Sequence, residues 1–267
     1  MQRALIAAVL VGIAAPSVGV FLVQRRLALM GDGMGHVALT GVALGLLLGR
    51  APVLVALLTA TAAAVLIELV RVKGRTTSDL ALAIMFYGGI AGGVVLISKS
   101  PGGSAASLNQ YLFGAITTTS TADLVTFAIL SVAILTVTLG LSRRLFAVSN
   151  DEEYAIASGL PVLSLNLLLA VMTATTVVVA MRVVGLLLIS ALMVVPVATA
   201  QLVAGSFRTT LLLAIAIGAG CAVSGVVVSY YANTPSGGSI VLFAIGLFAA
   251  TAVGGALARS ARRQLVR

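Results

Sequence analysis

The chain has 267 residues, 60% of them hydrophobic and 9% charged, with a net charge of +9 and a mean hydropathy of +1.19. Soluble domains are about 45–50% apolar and about 25% charged, so a soluble helical bundle is excluded: its helices would need polar faces that this sequence lacks. The 16 Lys and Arg residues stand in short clusters between apolar runs, the pattern of membrane topology and not of a nucleic-acid-binding surface.

Apolar runs near 20 residues recur, each long enough to cross a bilayer core about 30 Å thick. The alternating ten-residue strands of a membrane barrel are not seen. The expected fold class is all-α, a polytopic transmembrane helical bundle of eight to nine membrane segments, read as a single domain over 1–267. In chain order the runs are 4–23, 33–49, 52–70, 80–98, 122–142, 162–181, 184–204, 209–231 and 239–258. Residues 4–15 imitate the apolar core of a signal peptide behind Arg3, but the pattern continues to Val23 and reads as a first membrane helix. Arg182 and Gly185 are the only punctuation between the sixth and seventh runs, and Pro196 predicts a kink in the seventh. The single cysteine, Cys221, lies inside an apolar run and reads as a core residue.

Lys and Arg set the orientation. With the C-terminus cytoplasmic, alternation over nine spans places 12 basic residues inside and four outside, and the reverse orientation inverts that count. If one run is re-entrant, the N-terminus moves from outside to inside.

Two loops stand out. Residues 100–121 are rich in Gly, Ser and Thr around an apolar insert at Tyr111–Phe113 and fall outside. Residues 145–161 fall inside and carry three of the seven acids, Asp151, Glu152 and Glu153. Asn150 can cap a helix there, acids suit its first turn, and Gly159–Pro161 stops it. A short amphipathic helix over 151–158 is expected on the cytoplasmic surface, with a solvated acidic loop as the alternative.

Asp32 and the only histidine, His36, head the second run. Four apart on a helix, they share one face, and Thr40 continues it. Gly41, Gly45 and Gly49 form a second stripe that admits a close-packed neighbour. Ionisable groups at membrane depth cost about 2.5–3.5 kcal/mol on insertion scales. Either the pair satisfies itself near Arg25–Arg26, or it lines a permeation path. Carboxylate oxygen with imidazole nitrogen suits a divalent transition metal, and two copies across a two-fold axis would supply four ligands. A proton relay would also use this pair. Glu68 and Arg71 read as an interfacial ion pair, and Asp79 and Asp123 as helix-start residues. The chain has no P-loop, G-x-S-x-G or H-E-x-x-H motif, so it is not an enzyme with its own ATPase site.

The stretch "RRLALMGDGMGHVALTGVALG" resembles the G-D-x-x-x-H-x-x-x-x-G block of zinc/manganese/iron ABC-transporter permeases. "RTTSDLALAIMFYGGIAGGVVLIS", "YLFGAI", "DEEYAIASGLPV", "VVGLLLISALMVVPVATAQL" and "YYANTPSGGSIVL" resemble later blocks in family order, spanning about residues 25 to 255. The resemblance implies a type II importer-like membrane subunit in the cytoplasmic membrane. It would pair as a homodimer, driven by a separate cytoplasmic ATP-binding subunit and fed by an extracytoplasmic metal-binding protein. Zinc, manganese or iron would be cargo, with no permanently bound cofactor. Asp32 and His36 map onto the family's metal-path residues. Asp151, Glu152, Glu153, Ala157 and Gly159 map onto the coupling helix that docks the ATPase. The family often has Ser before the histidine and Pro before the following Gly, where this chain has Gly35 and Thr40. A permease for metal chelates such as siderophores or cobalamin, and a proton-coupled secondary transporter, are the alternative readings.

Overall fold

The computed structural model describes residues 2–72, 78–100, 111–114 and 121–265. Among them the regular elements are helices: α1 (Gln2–Gln24), α2 (Met30–Leu47), α3 (Pro52–Val72), α4 (Ser78–Lys99), α5 (Thr121–Gly140), α6 (Ser142–Asn150), α7 (Glu152–Ala157), α8 (Val162–Ala180), α9 (Leu186–Gln201), α10 (Phe207–Ala232) and α11 (Ser236–Leu265). Each of the nine apolar runs falls on a helix, but the span count is lower than the sequence suggests. Among the described residues seven helices are long and apolar enough to cross a membrane, or eight if α5 and α6, bent by 69° at their junction, count as one span. The seventh run forms α9, which at 16 residues is shorter than a usual span.

Small residues let these helices approach closely. A Cβ on Gly218 of α10 would lie 2.5 Å from the Pro16 ring of α1, and one on Gly12 would lie 2.8 Å from the Ala222 Cβ. On α3 the buried positions Ala56, Ala60, Ala64 and Glu68 form a single stripe at four-residue spacing, while Leu54, Leu58 and Leu66 are exposed. Such apolar exposure suits a helix that faces lipid on one side and protein on the other.

Breaks sit where backbone chemistry places them. After α1, Arg26 adopts a left-handed φ of 59°. Leu27 N–H bonds to Leu22 O at 2.8 Å and Arg26 N–H to Val23 O at 3.0 Å, a Schellman closure that turns the chain into α2. Gly185, at φ 94°, begins α9, and a side chain there would strike the backbone of Leu112 and Gly114. The apolar insert at 111–114 therefore plugs the α8–α9 break. Gly237 at the head of α11 packs against the Val184 carbonyl from another side. Pro196 does not end its helix, since α9 runs through it to Gln201.

Several local expectations change. Gly49 does not extend the α2 packing stripe: it lies beyond the helix end at φ 62° with open space around it. The expected loop at 145–161 contains α6 as well as α7. Leu145, Val148 and Ser149 are buried at i, i+3 and i+4, and Phe146 packs on Phe207 of α10 at 4.4 Å. The remainder of the 100–121 loop, and the side chains of Asp79 and Asp123, lie outside the described residues.

Candidate functional site: the Asp32–His36 helix and the α7 surface

Helix α2 is clamped from two sides. Toward α3, a Cβ on Gly41 would meet Ala56 and Thr59, and one on Gly45 would lie 2.6 Å from the Pro52 Cα. Toward α4, a Cβ on Gly89 would lie 2.6 Å from the His36 carbonyl carbon and 2.7 Å from Val37 N. The Thr40 hydroxyl donates to the Gly89 carbonyl at 2.6 Å, so the threonine that departs from the family pattern fastens α4 to α2. Gly35, the other departure, faces the Leu186 side chain of α9, 3.3 Å from where its Cβ would stand.

This clamp fixes the two candidate ligands. His36 is buried at 7% exposure. Its ring packs T-shaped on Phe86 with centroids 4.4 Å apart, and its Nδ1 has no hydrogen-bond partner among the described residues. Asp32 lines a cavity of about 340 Å³ between α2 and α4, with Leu29, Leu82, Ala83, Phe86 and Tyr87 as the other walls. The Ser190 hydroxyl of α9 stands 3.5 Å from Asp32 Oδ1. The described ion pairs join Arg25, Glu68, Arg71 and Glu152, so Asp32 and His36 do not close on each other or on Arg25. A buried imidazole nitrogen without a partner is costly unless a ligand or proton uses it. Among the described residues no group of three or more His, Cys, Asp or Glu side chains could hold a metal ion, and none of these types joins Asp32 and His36 as a third ligand.

At one end of the bundle, α7 forms where an acidic helix is expected, with one correction. Asp151, not Asn150, is the cap: its side chain accepts from Tyr154 N–H at 2.9 Å. Asn150 closes α6 instead and accepts from the Gln24 side-chain amide at 2.8 Å. Helix α7 ends in a Schellman motif, with Leu160 N–H to Ala155 O at 3.1 Å and Gly159 N–H to Ile156 O at 3.0 Å, and Gly159 at φ 74°. Asp151, Glu153, Tyr154, Ile156, Ala157 and Gly159 are exposed.

Glu152 points the other way. The Arg71 guanidinium donates to both its oxygens at 3.0 and 3.1 Å, and the Asn166 amide of α8 donates at 3.2 Å. Arg71 also holds Glu68, at 2.7 Å, which bears out the ion pair read from the sequence. Arg25 stands 3.8 Å from Glu68 and 3.9 Å from Glu152. Burial pushes the Glu152 carboxyl upward, but hydrogen bonds and charge from Arg71, with help from Arg25 and Asn166, outweigh it and hold the group below the usual carboxylate range. Burial pulls the Arg25 guanidinium below its ordinary value against the attraction of Glu68. Sequence reasoning gave no role to Asn166, the one amide side chain in its apolar run. The available signal was an amide set four residues after Val162 in a membrane-spanning run, where a polar side chain needs a partner.

Comparison with known proteins follows the same lines. The model of the ABC 3 transport family matches residues 1–254. The manganese import system permease protein ScaB of Streptococcus gordonii is 35% identical over 248 residues, covering 93% of this chain and 88% of that protein. The high-affinity zinc uptake system membrane protein ZnuB of Buchnera aphidicola is 30% identical over 237 residues, covering 89% and 90%. Among solved structures, PsaBC from Streptococcus pneumoniae in complex with Fab superposes with a TM-score of 0.84 at 35% identity, covering 94% of this chain and 90% of that one.

Proposed function

The chain belongs to the ABC 3 transport family, and from that premise we propose that it is the membrane permease subunit of an importer for a divalent transition metal, with manganese and zinc as first candidates and iron as a third. Its relatives are named as manganese and zinc permeases. The observation that carries the reading is the unpartnered, buried His36 Nδ1 one helical turn from a carboxylate that opens on a cavity. An imidazole and a carboxylate suit Zn²⁺ or Mn²⁺.

Two donors per copy make a weak site, as a conduit requires if the ion is to leave again. A second copy related by a two-fold axis would double the donors to two oxygens and two nitrogens, which favours a homodimer as the working unit. The chain acts as one permease domain and does not itself hydrolyse ATP. A cytoplasmic ATP-binding subunit docks on the exposed face of α7, around Asp151, Glu153, Ala157 and Gly159. An extracytoplasmic metal-binding protein delivers the ion. Clustering of Arg25, Arg71 and α7 at one end supports the orientation in which these basic loops and the C-terminus are cytoplasmic.

Cell-associated Mn, Zn and Fe, measured by elemental analysis in a strain lacking the chain, test this. Wild type should restore one metal, and His36→Ala should fail at equal expression. A double Glu153→Ala/Ile156→Ala variant should fail through lost ATPase docking. If wild type changes none of the three metals, the free-ion reading is wrong and the chelate reading replaces it. If His36→Ala transports normally, the site assignment is wrong.

A further inference from the structure

The ion path leaves the Arg25–Glu68–Arg71–Glu152 cluster unused, yet this is where buried charge is concentrated. The Glu68 side chain is 2% exposed and that of Arg25 7%. Charges at such depth persist only when paired and hydrogen-bonded, and here two guanidinium groups meet two carboxylates drawn from the α1–α2 turn, α3 and α7. Helix α7 has little else to hold it. Of its six residues only Ala155 is buried, so its attachment to the bundle is mainly polar and runs through Glu152.

The contacts continue from there to α2, the helix that carries the candidate metal site. Glu68 ends the buried stripe of α3, and Ala56 begins it. Those two positions are 12 residues apart, about 18 Å along a helix axis. At the Ala56 end, α3 has no room to slip against Gly41 of α2. Arg25 enters from the other side, in the turn that leads directly into the helix of Asp32. We infer that the Arg25–Glu68–Arg71–Glu152 cluster is the joint through which movement of α7 reaches α2 and its Asp32–His36 pair, an inference that rests on the importer reading above. The Arg71 bonds to Glu68 and Glu152 are short and directional, so they carry a displacement of α7 to α3 that an apolar face would let slide, while Arg25, at 3.8 and 3.9 Å, is coupled to the two carboxylates by charge.

The test uses the permease purified with its ATPase subunit, as wild type, Arg71→Gln, Glu152→Gln and the double variant, in vesicles. Three quantities are read: retention of the ATPase subunit, Mn²⁺ uptake per ATP hydrolysed, and the ATP-induced change in amide hydrogen exchange over residues 30–47. Each single variant should retain the ATPase subunit within about twofold and lose uptake per ATP by about tenfold. The double variant should lose no more than either single, because both cut the same link. The exchange response of α2 to ATP should disappear in all three, and Glu152→Asp, which keeps the charge, should recover part of it.

Uptake and exchange responses like wild type in both single variants would overturn the inference. So would losses that multiply in the double variant, or loss of the ATPase subunit in step with uptake, since the cluster would then be a docking surface. Vesicles of wild type that hydrolyse ATP but move no Mn²⁺, Zn²⁺ or Fe²⁺ would overturn the importer reading instead. The joint is still decided in that case, by whether the α2 exchange response is lost in the glutamine variants.

Discussion

Gly88 and Gly89 offer a matched pair of perturbations one residue apart on α4. A Cβ on Gly88 meets nothing within 4 Å, whereas one on Gly89 would stand 2.6 Å from the His36 carbonyl carbon and 2.9 Å from its oxygen. Carbon–carbon contacts are comfortable at about 3.5–4.0 Å, so alanine at 89 must push α2 and α4 apart by about 1 Å. Both substitutions gain the same helix propensity, about 0.5–1 kcal/mol. Only Gly89→Ala adds an overpacking cost of about 1–3 kcal/mol, and it also strains the Thr40–Gly89 hydrogen bond. Thermal unfolding of the purified protein should therefore show Gly88→Ala stabilised by up to about 1 kcal/mol and Gly89→Ala less stable than Gly88→Ala by about 1–3 kcal/mol. Mn²⁺ or Zn²⁺ uptake should fall in Gly89→Ala alone, because the clamp that positions His36 is what gives. Equal stability and uptake in the two variants would refute the claim that α4 fixes the histidine.

Two further expectations concern α7. Asp151→Ala removes the cap and should destabilise the helix locally by about 0.5–2 kcal/mol, seen as faster amide exchange at Tyr154, while Asn150→Ala should leave that amide protected. Acid should loosen α7 as well. The Glu152 carboxyl is held below its unfolded value of 4.5, so its contribution is complete above that pH and is lost as pH falls through the lower folded value. Exchange over residues 152–157, corrected for the intrinsic rate, should rise on acidification below about pH 4.5, and Glu152→Gln should reduce that pH dependence. A pH profile unchanged in Glu152→Gln would mean that another group holds α7.

What was legible in the sequence depended on spacing within one helix or one turn. Asp32 and His36 share a face because they are four apart, Glu68 and Arg71 pair because they are three apart, and Gly159 stops α7 because it accepts a left-handed backbone. The α6 helix was missed for a related reason: its buried positions, Leu145, Val148 and Ser149, are too few to compete with the polar residues around them. The choice of Asp151 over Asn150 as cap turns on where α6 ends, and both side chains suit the role chemically.

The sequence by itself determined that this chain is a bundle of membrane helices, because its apolar run lengths leave no other way to satisfy the backbone in lipid. It also carried the Asp–His face and the family resemblance, and it pointed to an acidic surface helix with a solvated loop as the alternative. Only the tertiary structure decided where those features point. Glu152 looks like its neighbour Glu153 in sequence, yet one turns inward to Arg71 and Asn166 while the other is exposed. Arg25, Glu68, Glu152 and Asn166 are separated by up to 141 positions, and no periodicity reports that they converge. Charge pairing across elements exists only once the α1–α2 turn, α3, α7 and α8 have packed together and brought Arg25, Glu68, Arg71, Glu152 and Asn166 within reach.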